Sequence, residues 1–343
     1  MSDDLGTTRS MFFPHPPGQR SWADDRPARV ATYRDAVALP LTSPGLGPRI
    51  VGAVYDDLGQ LIHDTERAKV NRAWAGNPPR DAVERVAVDR VAGRTFFGGH
   101  LRVAFGHVLL EIVPRLWPET ELHAAAQVVF YATRVGARSR RPRLPPYAVD
   151  LLSALGVDPM RTLVVGDRAV RFDELTVPSP AFRLKRGFSR EARTAFGRAG
   201  DALAPTGSGS SPAPRLYLSR SRLGPGPRRA LNEDVIEVIA EAAGFLVVHP
   251  QEHAIDVQVR MVRGAEVIAG CDGSALHLGA FARPGTKLVA FDSRLVPNQL
   301  IINQIAQLDA MHALVIDGAL GGRTGDWTAD LDRVREALDT ALG

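Results

Sequence analysis

From Arg215 to the C-terminus the chain alternates short apolar runs with amphipathic segments, and no other feature limits its fold as much. RLYLSR, FLVVHP, EVIAG, TKLVAFD and HALVIDG read as strands. NEDVIEVIAEAAGF, AIDVQVRMVRGA, the short SALHLGAFARPG, PNQLIINQIAQL and DWTADLDRVREALDTAL read as helices. Strand–helix units of this length call for a parallel sheet with helices on its faces, because parallel neighbours need a crossover between them. A basic turn (LYLSRSRLGPGPRRALNED) and a glycine-bracketed turn (VIAGCDGSALHLG) fall where a strand ends and a helix begins. In a parallel α/β sheet that edge is where ligands bind. Arginine, histidine, aspartate, serine and main-chain amides there suit a phosphorylated ligand.

The first half is less regular. RIVGAVYDDLGQLI reads as two short strands around an Asp-Asp-Leu-Gly turn. AVERVAVDRVAGRTFFGG is strand-like, and HVLLEIVPRLW spaces its apolar residues as a helix with a kink or break near Pro114. AAQVVFYAT is a buried strand, PYAVDLLSALGV a helix closed by Gly156, and RTLVVGD and AVRFDELTVPS are further strands. Composition then divides the chain. Residues 1–45, rich in proline and polar residues, are expected to form an irregular arm. Residues 46–196 form a first α/β domain, the Gly/Ser/Pro-rich 197–214 a linker, and 215–343 a second α/β domain.

A length of 343 residues allows one large or two medium domains. The single cysteine, Cys271, excludes an internal disulfide framework and a cysteine-based zinc site, and makes a reducing compartment the default. No apolar run approaches the roughly 18 residues of a membrane span. The N-terminal MSDDLGTTRSMFFPHPPGQR lacks the apolar stretch of a signal peptide, so the expected location is cytoplasmic. Of the 42 basic residues only Lys69, Lys185 and Lys287 are lysine, a bias that accompanies abundant alanine, glycine and proline. Arginines at strand ends still carry information, since a guanidinium binds phosphate bidentately. The basic residues are scattered and form no recognition motif, so nucleic acid is not an expected partner.

Several enzyme signatures are absent. There is no phosphate loop, no G-x-G-x-x-G between a first strand and helix, and no G-x-S-x-G elbow. His100, His107 and His123 lack the paired spacing of zinc ligands, and no metal or other cofactor is expected.

Two segments, in the right order, resemble glycosyltransferase family 61, whose bacterial members include capsular polysaccharide biosynthesis proteins. FGGHLRVAFGHVLLEIVPRLW is similar to the family's aromatic-His-x-Leu-Leu-Glu-x-x-Pro-Arg-Leu segment. LYLSRSR, RRALNEDVIEVIAEAAGFLVVHPQEH and GCDGSAL resemble its arginine after a strand, its Asn-Glu helix start, its Pro-Glu-like turn and its glycine-rich turn. One departure stands out: many members have His-Gly at that turn, where this chain has Asp272-Gly273. The resemblance implies a GT-B-like fold, two Rossmann-like domains with parallel sheets facing a central cleft. It also implies an inverting, metal-independent transfer from a nucleotide sugar to a glycan or other hydroxyl acceptor in polysaccharide biosynthesis. The donor would be held by the C-terminal domain, and peripheral association with a membrane polysaccharide assembly would fit. Two other readings stay open: a GT-B-shaped nucleotide-sugar epimerase, which needs no acceptor, and a non-catalytic member of a polysaccharide assembly.

The residues divide accordingly. His107 and Glu111, four apart, share a helix face and form either a base with its orienting partner or an intrahelical bond. Asp272 is a base or a turn-former. Arg115 binds acceptor or ends its helix. Arg220 is the first choice as a diphosphate ligand, with Arg222, Arg228 and Arg229 either supporting it or solvated. Asn232 and Glu233 are donor ligands or a cap and first-turn acid. His249 and Glu252 follow a strand where a base or ribose would lie. Gly270 and Gly273 meet backbone requirements, Ser274 opens a helix whose free N–H groups can meet phosphate oxygens, and His277 is a ligand or a packed histidine. Cys271 reads as a small buried residue.

Overall fold

The computed structural model describes residues 7–13, 21–24, 27–40, 50–51, 54–66, 74–76, 88–133, 140–205, 214–224, 228–321 and 325–343. The Gly/Ser centre of the expected linker (206–213), the Pro-Gly-Pro of the basic turn (225–227) and Lys69 lie outside them. The chain divides into two compact units. One comprises Met1–Ala23, Lys185–Phe188 and Gly200–Gly343; the other comprises Asp24–Leu184 and Ser189–Ala199.

In the first of these units six strands form one sheet, in the order Thr8–Met11, Asp309–Leu314, Lys287–Asp292, Val267–Cys271, Arg215–Leu218, Leu246–Val248. Every neighbouring pair is parallel. Leu216 and Tyr217 are both fully buried although adjacent strand residues face opposite ways, as are Ile268 with Ala269 and Ala290 with Phe291. Both faces are therefore covered, which is why these strands read as continuous apolar runs. Helices Glu233–Ala242, Ile255–Gly264 and Pro297–Ala306 and the 3-10 helix Ser274–Phe281 connect the strands, and Leu331–Leu342 ends the chain.

Counted from Arg215, the five strands lie in the order 2-1-3-4-5. The chain leaves the Arg215 strand, adds the Leu246 strand on one side, then crosses to add the Val267 strand on the other. The order reverses there, so the carboxyl ends of Arg215–Leu218 and Val267–Cys271 flank a topological switch point, the place where such sheets bind ligands.

Two readings of this unit change. Thr8–Met11 falls within the stretch expected to be irregular, yet it forms the sheet's edge, with Thr8 opposite Ala310 and Met11 opposite Ala313. Asp326–Ala329, read as the start of the last helix, is a strand antiparallel to Ile316–Gly321. The helix begins later because Asp330 caps it, accepting from the N–H groups of Asp332 and Arg333.

The other unit also holds six strands, in the order Val54–Tyr55, Val30–Ala38, Ala169–Pro178, Val88–His100, Gln127–Tyr131, Thr162–Val165. The last four run parallel. Val30–Ala38 runs antiparallel to both its neighbours, Ala169–Pro178 and Val54–Tyr55, so this sheet is mixed and not the parallel sheet expected. The segment VATYRDAVA lies within the stretch expected to be an irregular arm. Its β-branched and aromatic residues pair with the long Ala169–Pro178 strand from Val30 opposite Pro178 to Ala38 opposite Val170. The Asp-Asp-Leu-Gly turn forms as read: Asp56 accepts from the N–H groups of Leu58 and Gln60, and Tyr55 bridges to Leu61. Helix Pro146–Ala154 also forms, with Gly156 left-handed just beyond it.

The edge strand Thr8–Met11 has a measurable consequence. Deleting residues 1–13 would uncover the edge of Asp309–Leu314, whose central residues are buried, and would remove the Arg9–Asp309 pair. The unfolding midpoint should fall by about 2–4 °C or more and the protein should self-associate. An unchanged midpoint and a monodisperse product would contradict this pairing.

Candidate active site

The switch point is built from the end of the Arg215 strand outward. Beyond Leu218, where the strand ends, Ser219 and Ser221 both turn to Glu237, while Arg220 turns to the Asp272 main chain. The Arg220 guanidinium donates from Nη1 to the Asp272 carbonyl at 2.8 Å and, more weakly, to the Arg228 carbonyl at 3.4 Å. Its main-chain N–H donates to Glu233 Oε1 at 2.9 Å. Glu233 is buried beneath the loop and also lies 3.4 Å from the Tyr217 hydroxyl. Burial pushes the Glu233 carboxyl up, and Arg220 draws it partly back.

Gly270 and Gly273 make this approach possible. A Cβ on Gly270 would come 2.9 Å from the Leu218 carbonyl oxygen, so the two switch-point strands approach as closely as they do only without a side chain there. A Cβ on Gly273 would come 2.4 Å from Arg220 Nη1 and 2.7 Å from its Cζ. Arg220 thus lies flat against the Gly273 main chain, directly before the 3-10 helix that Ser274 opens. Nη2 and Nε of Arg220 have no hydrogen-bond partner among the described residues. Donors of that kind, beside the unbonded N–H groups of a helix start, form an anion-binding arrangement.

Asp272 is 6 % exposed, and its N–H donates to the Phe291 carbonyl. Its carboxyl is raised to about 6, first by burial and next by the negative charge of Asp292; Arg228, Arg220 and Arg294 oppose the rise. Arg228 Nη1 is 3.9 Å from the Asp272 carboxylate.

Asp292 begins a buried polar chain. Its Oδ2 is 2.6 Å from His312 Nδ1; His312 Nε2 is 2.9 Å from Asn303 Nδ2; Asn303 Oδ1 accepts from Gln299 Nε2 at 3.0 Å; and Gln299 Oε1 is 3.0 Å from His277 Nδ1. His277 is therefore a buried member of this network. Burial raises the Asp292 carboxyl while His312 lowers it. Burial likewise raises the Cys271 thiol well above its usual range, which fits an inert, packed residue.

The remaining expected donor residues make other contacts. Asn232 stands at the cap position of helix Glu233–Ala242, but its side chain does not cap; the amide instead closes two bonds with the Ala329 main chain, at 2.9 and 3.0 Å. An amide matches a strand's paired N–H and C=O better than a single helical N–H. Arg222 and Glu252 form an exposed ion pair at 3.2 Å, an arrangement of little energetic weight. Arg229 pairs with Asp326 at 3.7 Å. A cavity of about 210 Å³ opens between the Arg220 loop and this helix, lined by Arg220, Ser221, Arg229, Ala230, Leu231, Glu233 and Asp234. Buried His249 lies 3.9 Å from Glu237, a residue the sequence did not single out. Glu237 accepts from the hydroxyls of Ser219 and Ser221 at 2.5 Å each. The signal that could have found it was the Ser-Arg-Ser-Arg alternation after the strand, together with Glu237 one turn beyond Glu233.

The second unit carries the His107 cluster. HVLLEIVPRLW does not form one helix. Phe105–His107 is a single α-turn, Val108–Ile112 a π-turn and Val113–Leu116 a 3-10 turn. Pro114 has no N–H to return to the preceding turn, so the helix widens before it and tightens after it. Such π-turns are common at functional sites. His107 Nδ1 forms a short hydrogen bond with Glu111 Oε1, and both side chains remain partly exposed. Arg115, expected to bind acceptor, is 6 % exposed, and its Nη1 donates to the main-chain carbonyls of Asp64 and Pro178 at 2.7 Å each. Burial lowers its pKa to about 10. These contacts make Arg115 a tie between chain segments. Among the described residues no group of three or more His, Cys, Asp or Glu could hold a metal ion, and no helix is long and apolar enough to cross a membrane.

Asp272 should leave a signature in stability. The folded carboxyl, at about 6, holds its proton more tightly than an unfolded one at 3.8. Stability with respect to this group is therefore greatest below about 3.8, falls as pH rises toward about 6, and is constant above that. Asp272→Asn removes the penalty, so at pH 7–8 it should be more stable than wild type, by at most about 3 kcal/mol, with the difference shrinking toward pH 4. Denaturant unfolding across that range measures it; a variant less stable than wild type at pH 8 would contradict the account.

No curated protein matches the chain. The family model described as Glycosyltransferase 61 matches residues 105–289, more than half of the sequence, from the Phe105 turn through the switch point to the Lys287 strand. The chain belongs to glycosyltransferase family 61.

Proposed function

We propose that this protein is an inverting, metal-independent glycosyltransferase that moves a hexosyl or pentosyl group from a nucleotide sugar to a glycan or other hydroxyl acceptor in polysaccharide biosynthesis, in the cytoplasm. A GT-B arrangement belongs to the same proposal. The observation that carries it is the Arg220 guanidinium, flat against Gly273 at the switch point of a six-stranded parallel sheet.

In an inverting transfer the acceptor oxygen attacks the anomeric carbon on the face opposite the diphosphate. The bond from that carbon to the phosphate oxygen breaks, and its electron pair leaves with the nucleoside diphosphate. Arg220 and the first N–H groups of the Ser274 helix meet the charge that develops on that oxygen. Positive charge supplied by an arginine and helix amides takes the place of a bound cation. The acceptor's proton passes to a base. Asp272, raised to about 6, has a proton affinity suited to that task near neutral pH. His107, hydrogen-bonded through Nδ1 to Glu111, is the other candidate base.

Calorimetric titration with nucleoside diphosphates tests the diphosphate site. Wild type should bind at least one, and Arg220→Ala should bind it about tenfold or more weakly, the loss expected for a charge-assisted hydrogen bond. Equal affinities would remove Arg220 from the site. Sugar transfer by Asp272→Asn and His107→Ala then separates the two bases: the true base should lose about 10²–10⁴-fold in turnover. Nucleotide binding without transfer to any hydroxyl acceptor would instead favor a non-catalytic protein.

A further inference from the structure

Two buried carboxyl groups stand at neighbouring strand ends. In the parallel pairing of Val267–Cys271 with Lys287–Asp292, Cys271 lies opposite Phe291, and the Asp272 N–H donates to the Phe291 carbonyl at 2.9 Å. Asp272 and Asp292 are the residues that follow that pair, and both are buried. Like charges placed so closely oppose each other's ionisation. The charged groups that act on Asp272 are Asp292, Arg228, Arg220 and Arg294. Asp292 makes no ion pair with an arginine or lysine among the described residues; its partner is His312.

The chain behind Asp292 fixes where the proton on His312 sits. Gln299 Nε2 lies 3.3 Å from the Leu276 carbonyl and 3.0 Å from Asn303 Oδ1. A carbonyl only accepts, so this end of Gln299 is its NH2 group, and its Oε1 accepts from His277 Nδ1. The Asn303 atom facing that NH2 is therefore its oxygen, and Asn303 Nδ2 donates to His312 Nε2 at 2.9 Å. A ring nitrogen that accepts carries no proton of its own. His312 thus holds its single proton on Nδ1 and donates it to Asp292 Oδ2 at 2.6 Å. One main-chain carbonyl orders every link from His277 toward Asp292. The result is a neutral imidazole that hydrogen-bonds the Asp292 carboxylate without cancelling its charge.

We propose that Asp292 is a positioning residue of the transfer reaction: held as an anion by a neutral His312, its carboxylate stands beside Asp272 and makes that group a stronger base toward the acceptor hydroxyl. The inference rests on the reading of Asp272 as the base. In the transfer, the acceptor's proton moves to Asp272 while the electron pair of its O–H bond forms the new bond to the anomeric carbon. Asp272 becomes neutral as the proton arrives, which relieves its repulsion with Asp292. That relief grows along the reaction, so it favours the transition state over the ground state. An imidazolium at position 312 would offset the Asp292 charge and remove the effect. Gln299 and Asn303 act one step further back, by keeping His312 neutral.

The test is the titration of Asp272, followed by carbon NMR of the full chain labelled at aspartate, with Asp272→Asn to assign the signal. In wild type the midpoint should lie at about 6. Asp292→Asn keeps an oxygen to accept from His312 and removes the charge, so the Asp272 midpoint should fall by about one pH unit, a tenfold change in proton affinity. The acid limb of sugar transfer should move to lower pH with it, and turnover above that limb should drop because the base is weaker. Nitrogen NMR should show His312 of wild type as the neutral Nδ1–H form. Asn303→Asp, whose carboxylate can only accept, should place a second proton on His312 and lower the Asp272 midpoint as well, so the outcome does not hang on one variant folding. An Asp272 midpoint that stays in place in both variants, or an imidazolium at His312 in wild type, would overturn the inference; Asp272→Asn still decides independently whether Asp272 is the base. A midpoint that falls while the acid limb of transfer stays put would overturn the inference and the reading of Asp272 together.

Discussion

The contact between the Arg220 guanidinium and the Asp272–Gly273 main chain joins the fold of the C-terminal sheet to its chemistry. It needs two strands that approach closely, which Gly270 permits, and a turn without a side chain, which Gly273 supplies. It also needs Arg220 to be held by its own main chain, and the buried Glu233 does this from the start of the next helix. The strand order reverses between the Arg215 and Val267 strands, which sets these two strand ends side by side. An arginine at another strand end would be an ordinary surface charge.

Behind that contact lies the polar chain from Asp292 to His277. Nearly every polar atom along it is satisfied by the next member, so its five residues fix one another's orientation within an otherwise apolar core. The chain ties the end of the Lys287 strand to helix Pro297–Ala306 and to the 3-10 helix that opens at Ser274. Its charge at Asp292 also helps keep the neighboring Asp272 carboxyl near 6. Where many family members have histidine at the glycine turn, this protein therefore has a carboxyl tuned by burial toward the range in which histidine titrates.

The C-terminal unit was largely legible in the sequence because its strands are buried on both faces and its helices are amphipathic, giving two periods that are easily told apart. The switch point could be placed because basic and glycine-rich turns stood at the strand ends. What the sequence concealed has physical causes. Thr8–Met11 and Val30–Ala38 are edge or antiparallel strands set among prolines, so their local composition argued against strands that tertiary pairing nevertheless forms. The His107 segment has helical spacing, and only the missing N–H of Pro114 splits it into three kinds of turn. Asn232 looked like a cap because the signal for a cap and the signal for a main-chain clamp are the same residue in the same place. Glu237 stood out only through the Ser-Arg-Ser-Arg alternation and its place one turn beyond Glu233, and its partners are brought to it by the fold.

The central claim is that a nucleoside diphosphate lies on Arg220 and the Gly273–Ser274 turn, and an experimental structure with the nucleotide bound tests it most directly. The account predicts diphosphate oxygens within hydrogen-bond distance of the Arg220 guanidinium and of the Ser274 main-chain N–H. A diphosphate held elsewhere, with Arg220 still engaged only with the Asp272 and Arg228 carbonyls, would contradict it.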